Sequence, residues 1–126
     1  MIQELTLESA LYVARRMRVS DWDEITAFTL HTSREEFAIS AWRASGPLAY
    51  EVIGVDGRPV CVGGFTPITP ACAQTWLIAT DEFPRYGGII WRAAVMKMMP
   101  VAFGAGYCVL RARVQAHNYI AARFAE

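Results

Sequence analysis

The chain has 126 residues, enough for one domain with a single core and too few for two large ones. At 54% hydrophobic and 19% charged, it is too apolar to be disordered. Its formal net charge of zero supplies no field for recruiting nucleic acid or an anionic membrane, so no specific nucleic-acid partner and no membrane partner is expected.

Met1 to Ala10 carries glutamates instead of a basic start and has no long apolar core, so no secretory signal is expected. Leu7 to Met17 predicts a first helix, with Thr6 as N-cap and Leu7, Leu11, Ala14 and Met17 on one stripe. Arg15, Arg16 and Arg18 fall near its end, where cations suit the helix dipole. Ser20 is the expected N-cap of a second helix, with Asp21, Asp23 and Glu24 in the first turn and Trp22, Ile25 and Phe28 at helical spacing. Ser33-Arg34-Glu35-Glu36 is a capping box that opens a third helix carrying Phe37, Ala41 and Ala44. Gly46-Pro47 stops it.

From Leu48 the period changes to two. Leu48, Tyr50 and Val52 alternate with Ala49, Glu51 and Ile53, and Asp56-Gly57 turns the chain into a return strand through Val60 and Val62 to Phe65. Gly63-Gly64 is expected to bulge or thin that strand, and Thr66 to Ala73, with Pro67 and Pro70, reads as a loop. A third strand, Gln74 to Thr80, places Trp76 and Ile78 on one face. Pro84-Arg85-Tyr86-Gly87-Gly88 then reads as a turn before a helix from Ile89 to Met99, apolar nearly all round and so expected to be buried, which Pro100 ends or kinks. Gly104 and Gly106 are expected to lead to a strand from Tyr107 to Val114, and Asn118 to Glu126 could be a final short helix. The order predicts one α+β domain over residues 1–126, with a mostly antiparallel sheet containing one βαβ crossover.

Glycines between a strand and a helix clear side chains from backbone N–H groups, and with the positive end of the helix dipole those donors can seat a phosphate. Gly87-Gly88 reads this way, or as a plain turn. Other candidates are thinner. Asp81-Glu82 could take a proton from an amine or be a solvated loop pair, and His117 beside Asn118 could be a base or a structural histidine. Arg111 and Arg113 could clamp an anion or line a wet face. Cys61, Cys72 and Cys108 have no CxxC spacing and the two histidines no zinc-finger spacing, so reduced apolar cysteines and no metal are expected. Arg92 and Lys97 interrupt the longest apolar region, so no bilayer-spanning segment is expected. Trp22, Trp42 and Trp91 are expected in the core.

The order of elements resembles the GNAT superfamily of N-acetyltransferases over most of the chain. In that family the pyrophosphate of acetyl-CoA sits on Arg/Gln-x-x-Gly-x-Gly/Ala, between the fourth strand and the next helix. Arg85-Tyr86-Gly87-Gly88-Ile89-Ile90 keeps the Arg and the Gly at Gly88 but puts Ile90 where a small residue belongs. Asn118 matches a second landmark, with Ala121 and Phe124 following in register, while the tyrosine that serves as general acid falls on Ala125. The resemblance therefore implies a coenzyme site at Arg85, Tyr86, Gly87, Gly88, Ile89 and Asn118, for acetyl-CoA in a degenerate form. It also implies a sheet that, at Glu126, still lacks the last two strands of the family.

A narrower resemblance runs through Ala14-Arg15-Arg16-Met17-Arg18, Asp23-Glu24-Ile25, Ser40-Ala41-Trp42-Arg43-Ala44-Ser45-Gly46, Asp56-Gly57-Arg58-Pro59-Val60 and the Trp76 to Asp81 strand. Together these look like a bacteriophage GNAT-like family that includes a small internal virion protein of short-tailed phages. That resemblance implies a virion, ejection or assembly component that works through contacts with other virion proteins or with itself. The expected location is the virion or the cytoplasm of the infected bacterial host. The alternative is an active acyl-CoA-dependent N-acetyltransferase.

Overall fold

Thr6 and Ser33 start two helices as their hydroxyls dictate: each side-chain oxygen accepts the N–H three residues on, from Ser9 at 3.2 Å and Glu36 at 3.0 Å. The computed structural model of the chain describes residues 1–28 and 33–111. In chain order the elements are β1 (Ile2–Glu4), α1 (Leu7–Arg16), α2 (Val19–Phe28), α3 (Arg34–Ser45), β2 (Ala49–Ile53), β3 (Pro59–Thr69) and β4 (Cys72–Ala79). There follow α4 (Phe83–Ala93), a π-helical segment (Ala94–Met98), α5 (Met99–Gly104) and β5 (Val109–Arg111).

The sheet has five strands in the order β1-β2-β3-β4-β5, antiparallel throughout except for the parallel pair β4–β5. That is the expected α+β architecture, with α4 and α5 carrying the crossover. Neighbouring strand residues point to opposite faces, and each face has its own helices. Ala49, Val62 and Ile78 pack with Val13 and Ala14 of α1 and Phe37, Ala38 and Ala41 of α3. Val52, Cys61 and Ala79 pack instead with Phe83 and Ile90 of α4. Trp22, Trp42 and Trp76 lean on the α1–α3 core, as expected of the first two.

Several local expectations are corrected. β1 is an extra edge strand, pairing Ile2, Gln3 and Glu4 with Val52, Glu51 and Tyr50. Glu51 on β2 is only 2% exposed, and its carboxylate accepts the Thr6 amide at 2.7 Å, the Thr6 hydroxyl at 2.9 Å and the Gln3 side-chain amide at 2.9 Å. These bonds tie the β1–α1 turn to the sheet and explain a buried charge that simple alternation leaves unexplained. Ser20 lies inside α2, which begins at Val19.

Gly63 and Gly64 do not bulge the strand. A Cβ on Gly63 would lie 2.6 Å from the Trp76 carbonyl oxygen, and one on Gly64 would strike the Leu48 carbonyl, so the pair permits close approach of both neighbouring strands. The irregularities fall instead between Val52 and Ile53 and between Pro67 and Thr69. The expected loop from Thr66 to Ala73 is mostly strand, because β3 absorbs Pro67 at that irregularity and runs on to Thr69.

The largest correction concerns the helix after β4. It starts at Phe83 instead of Ile89, with Pro84 in the first turn, where a missing N–H costs nothing. Only Phe83, Ile90 and Ala93 of α4 are buried, while Ile89, Trp91, Val95 and Met96 are exposed, so neither the all-round burial nor the core position of Trp91 holds. Pro100 does not end the helix. The Met99 N–H reaches the Ala94 carbonyl five residues back, and this widened turn accommodates the proline before α5 continues to Gly104.

Candidate functional site

The residues at which the resemblance implies a coenzyme site fall, where they are described, just after β4 ends. Arg85, Tyr86, Gly87, Gly88 and Ile89 all lie within α4. The Phe83 N–H already donates to the Thr80 carbonyl at 3.1 Å and the Arg85 N–H to the Glu82 carbonyl at 3.1 Å, and Pro84 has none to offer. By helix geometry the amides of Gly87 and Gly88 point back to the carbonyls of Phe83 and Pro84. The glycine turn expected between strand and helix is therefore helix interior.

The side chains are engaged as well. The Arg85 guanidinium donates to the Glu82 carboxylate at 3.0 Å and lies 5.8 Å from the centre of the Tyr86 ring. The Tyr86 phenol oxygen accepts the Val55 N–H at 3.2 Å, joining α4 to the tip of the β2–β3 hairpin. A Cβ on Gly87 or Gly88 would meet nothing within 4 Å. Ile89 points to solvent, and Ile90, in the position where the resemblance calls for a small residue, is 1% exposed in the core beside Phe83. Asn118 lies outside the described residues, as do Arg113, His117, Ala121, Phe124 and Ala125.

Sequence reasoning missed an ionic joint at the same strand end. Arg18, between α1 and α2, forms a bidentate ion pair with Asp21 at 2.8 and 3.2 Å, the two side chains being 9% and 6% exposed. Asp21 Oδ2 also accepts the Ala79 N–H at 3.2 Å, and the Arg18 N–H donates to the Ala79 carbonyl at 3.1 Å. Because Thr80 bonds to Val60 of β3 through its own N–H, the Ala79 groups point to the other edge of β4, the side on which β5 lies. The α1–α2 joint thus occupies that edge at Ala79, beyond the described β4–β5 pairing of Cys72 to Gln74 with Val109 to Arg111. The Arg18 guanidinium sits 5.0 Å from the centre of the Phe83 ring, and its Nη1 is buried with no hydrogen-bond partner. The Arg18-x-x-Asp21 spacing was legible; the partner at Ala79 was not, since nothing local marks it.

Cys61 lies near this joint. Burial pushes its thiol up to about 12, the Arg18 guanidinium pulls it down, and the Asp21 carboxylate pushes it up. It is a neutral core residue, not a nucleophile. Tyr50 is also raised, by burial first and then by Glu4. Among the described residues no three His, Cys, Asp or Glu side chains are placed to hold a metal, and no helix is long and apolar enough to cross a membrane.

No protein-family model matches the sequence, and neither does any curated protein. Solved structures do match the fold. Ard1 from Thermoplasma volcanium superposes with a TM-score of 0.71 at 20% identity, covering 99% of this chain and 78% of that one. The ribosomal-protein-S18-alanine N-acetyltransferase from Escherichia coli gives 0.67 at 16% identity, covering 99% and 73%. A GNAT superfamily phosphinothricin acetyltransferase from Sinorhizobium meliloti, solved in complex with acetyl-CoA, gives 0.68 at 10% identity, covering 99% and 71%. The mixed sheet flanked by helices is thus the fold of the GNAT N-acetyltransferases.

Proposed function

We propose that this chain uses the GNAT fold as a protein-contact module of a bacteriophage virion or of its assembly, with its acetyl-transfer site degenerate. The observation that carries the reading is the filled edge of β4. Acetyl transfer needs a thioester carbonyl polarised by fixed donors, of which backbone N–H groups at a strand end are the natural source. Here Asp21 takes the Ala79 amide and the Arg18 amide takes the Ala79 carbonyl. The paired Arg85 and the helical position of Gly87 and Gly88 point the same way. The phage assignment rests on the sequence resemblance of the segments from Ala14 to Asp81. Contact with other virion proteins or with a second copy is supported by Ile89, Met96, Val101 and Phe103, exposed along the α4–α5 arm.

The test is calorimetric titration with acetyl-CoA together with mass spectrometry of a panel of amines. The expected result is no saturable binding up to about 100 µM and no acetylated product. Micromolar binding accompanied by turnover would overturn the reading.

A second reading, an active acyl-CoA-dependent N-acetyltransferase, is favoured by one observation: two of the similar structures, from Mycobacterium tuberculosis and Sinorhizobium meliloti, hold CoA or acetyl-CoA. Direct attack of an amine in a ternary complex depends mainly on positioning, so the alanine at position 125 need not end activity. On this reading Gly88→Arg abolishes coenzyme binding while leaving the thermal melt intact.

A further inference from the structure

The end of α1, the tip of the β2–β3 hairpin and the start of α4 enclose a cleft of about 340 Å³, with Val60 and Thr80 among its lining residues. Its charged residues are of both signs: Arg16, Arg58 and Arg85 against Asp56, Asp81 and Glu82. Some of these are compensated within the chain. Arg85 is paired with Glu82 at 3.0 Å, whereas Asp56 accepts only the neutral Arg58 backbone N–H at 3.0 Å and keeps its charge. Arg16 is steadied without being neutralised, its guanidinium 3.9 Å from the centre of the Tyr12 ring and donating to the Tyr12 carbonyl at 3.3 Å.

Among the described residues, the guanidinium groups of Arg16 and Arg58 and the carboxylates of Asp56 and Asp81 therefore remain without an ion-pair partner, distributed over the three walls of one cleft. A plain anion would face two carboxylates and a plain cation would face two guanidinium groups. A ligand that carries both charges suits both sets. The cleft is at the small end of ligand-sized pockets, which suits a molecule of a few heavy atoms.

We propose that this cleft binds a small zwitterion of the amino-acid class, its carboxylate on Arg16 and Arg58 and its ammonium on Asp81. Binding needs neither acetyl-CoA nor catalysis, so the proposal stands or falls apart from the function proposed above. The ligand could be a free amino acid or a short peptide, and the probes separate the two.

The test is a titration of isotopically labelled, full-length protein followed by amide chemical shifts, with no coenzyme present. The probes are alanine, dialanine, N-acetylalanine, which lacks the ammonium, and alanine methyl ester, which lacks the carboxylate. Alanine or dialanine is expected to shift amides around Arg58 and Asp81 saturably, with each singly blocked probe at least about tenfold weaker. Arg58→Ala should weaken the free zwitterion by at least about tenfold and remove its advantage over the ester. Asp81→Asn should remove its advantage over N-acetylalanine. Both side chains are exposed, so an unchanged melting temperature separates lost binding from lost folding. Equal binding of free and blocked probes, unchanged binding in Arg58→Ala, or no saturation by about 10 mM would overturn the proposal.

Discussion

Arg18 and Asp21 are charged, buried and joined to Ala79, so removing one partner strands the other. Asp21→Ala is expected to cost about 3–5 kcal/mol in urea unfolding, whereas Arg18→Met combined with Asp21→Leu should recover much of that loss by removing both charges together. If the single and double variants prove equally destabilised, the pair is not what holds the joint. Cys61 makes a different prediction. Its thiol titrates at about 12 when folded against an ordinary 9.0, so the unfolded chain ionises first as pH rises. Its contribution is therefore intact below pH 9.0 and drains away through the window up to about 12, by about 1 kcal/mol per pH unit. Cys61→Ala should flatten that alkaline loss in denaturant titrations, and iodoacetamide at neutral pH should label exposed Cys108 while sparing Cys61.

At the scale of elements, local chemistry was readable where one side chain sets one boundary. Thr6, Ser33 and the Asp56-Gly57 turn did so, Gly57 adopting a φ of 81°. It failed where two signals competed. Pro84 marks a turn or a first helical turn equally well, and the glycines tipped the reading toward a turn, although helix geometry won. The same competition gives a test. Gly87 and Gly88 lie in a helix with open space where a side chain would go, so Gly87→Ala and Gly88→Ala should each stabilise the fold by about 0.5–1 kcal/mol. Destabilisation by either would restore the turn. Gly64→Ala, whose new methyl group would meet the Leu48 carbonyl, should do the reverse and lower the yield of soluble protein. These glycines look alike in the sequence; only the packed sheet tells them apart.

For the whole molecule, the fold class was legible because period and order were both clear, and because one parallel pair needs a helical crossover. The site was not, because its contacts join segments far apart in the chain, and Asn118 and Ala125 lie outside the described residues. The exposed stripe on the α4–α5 arm carries the prediction for assembly. Met96→Glu with Phe103→Glu, at positions 68% and 49% exposed, should leave the melt unchanged and abolish any concentration-dependent sedimentation. Sedimentation that is unaltered in the variant would place self-association elsewhere. The clasp on Ala79 also has a consequence in time. Asp21 must wait for a backbone amide 58 residues further along, and translation delivers the amino end first. While the ribosome is still making β4, the joint between the first two helices lacks its anchor at Ala79, and a nascent chain halted before that strand should be cut there more readily by proteases.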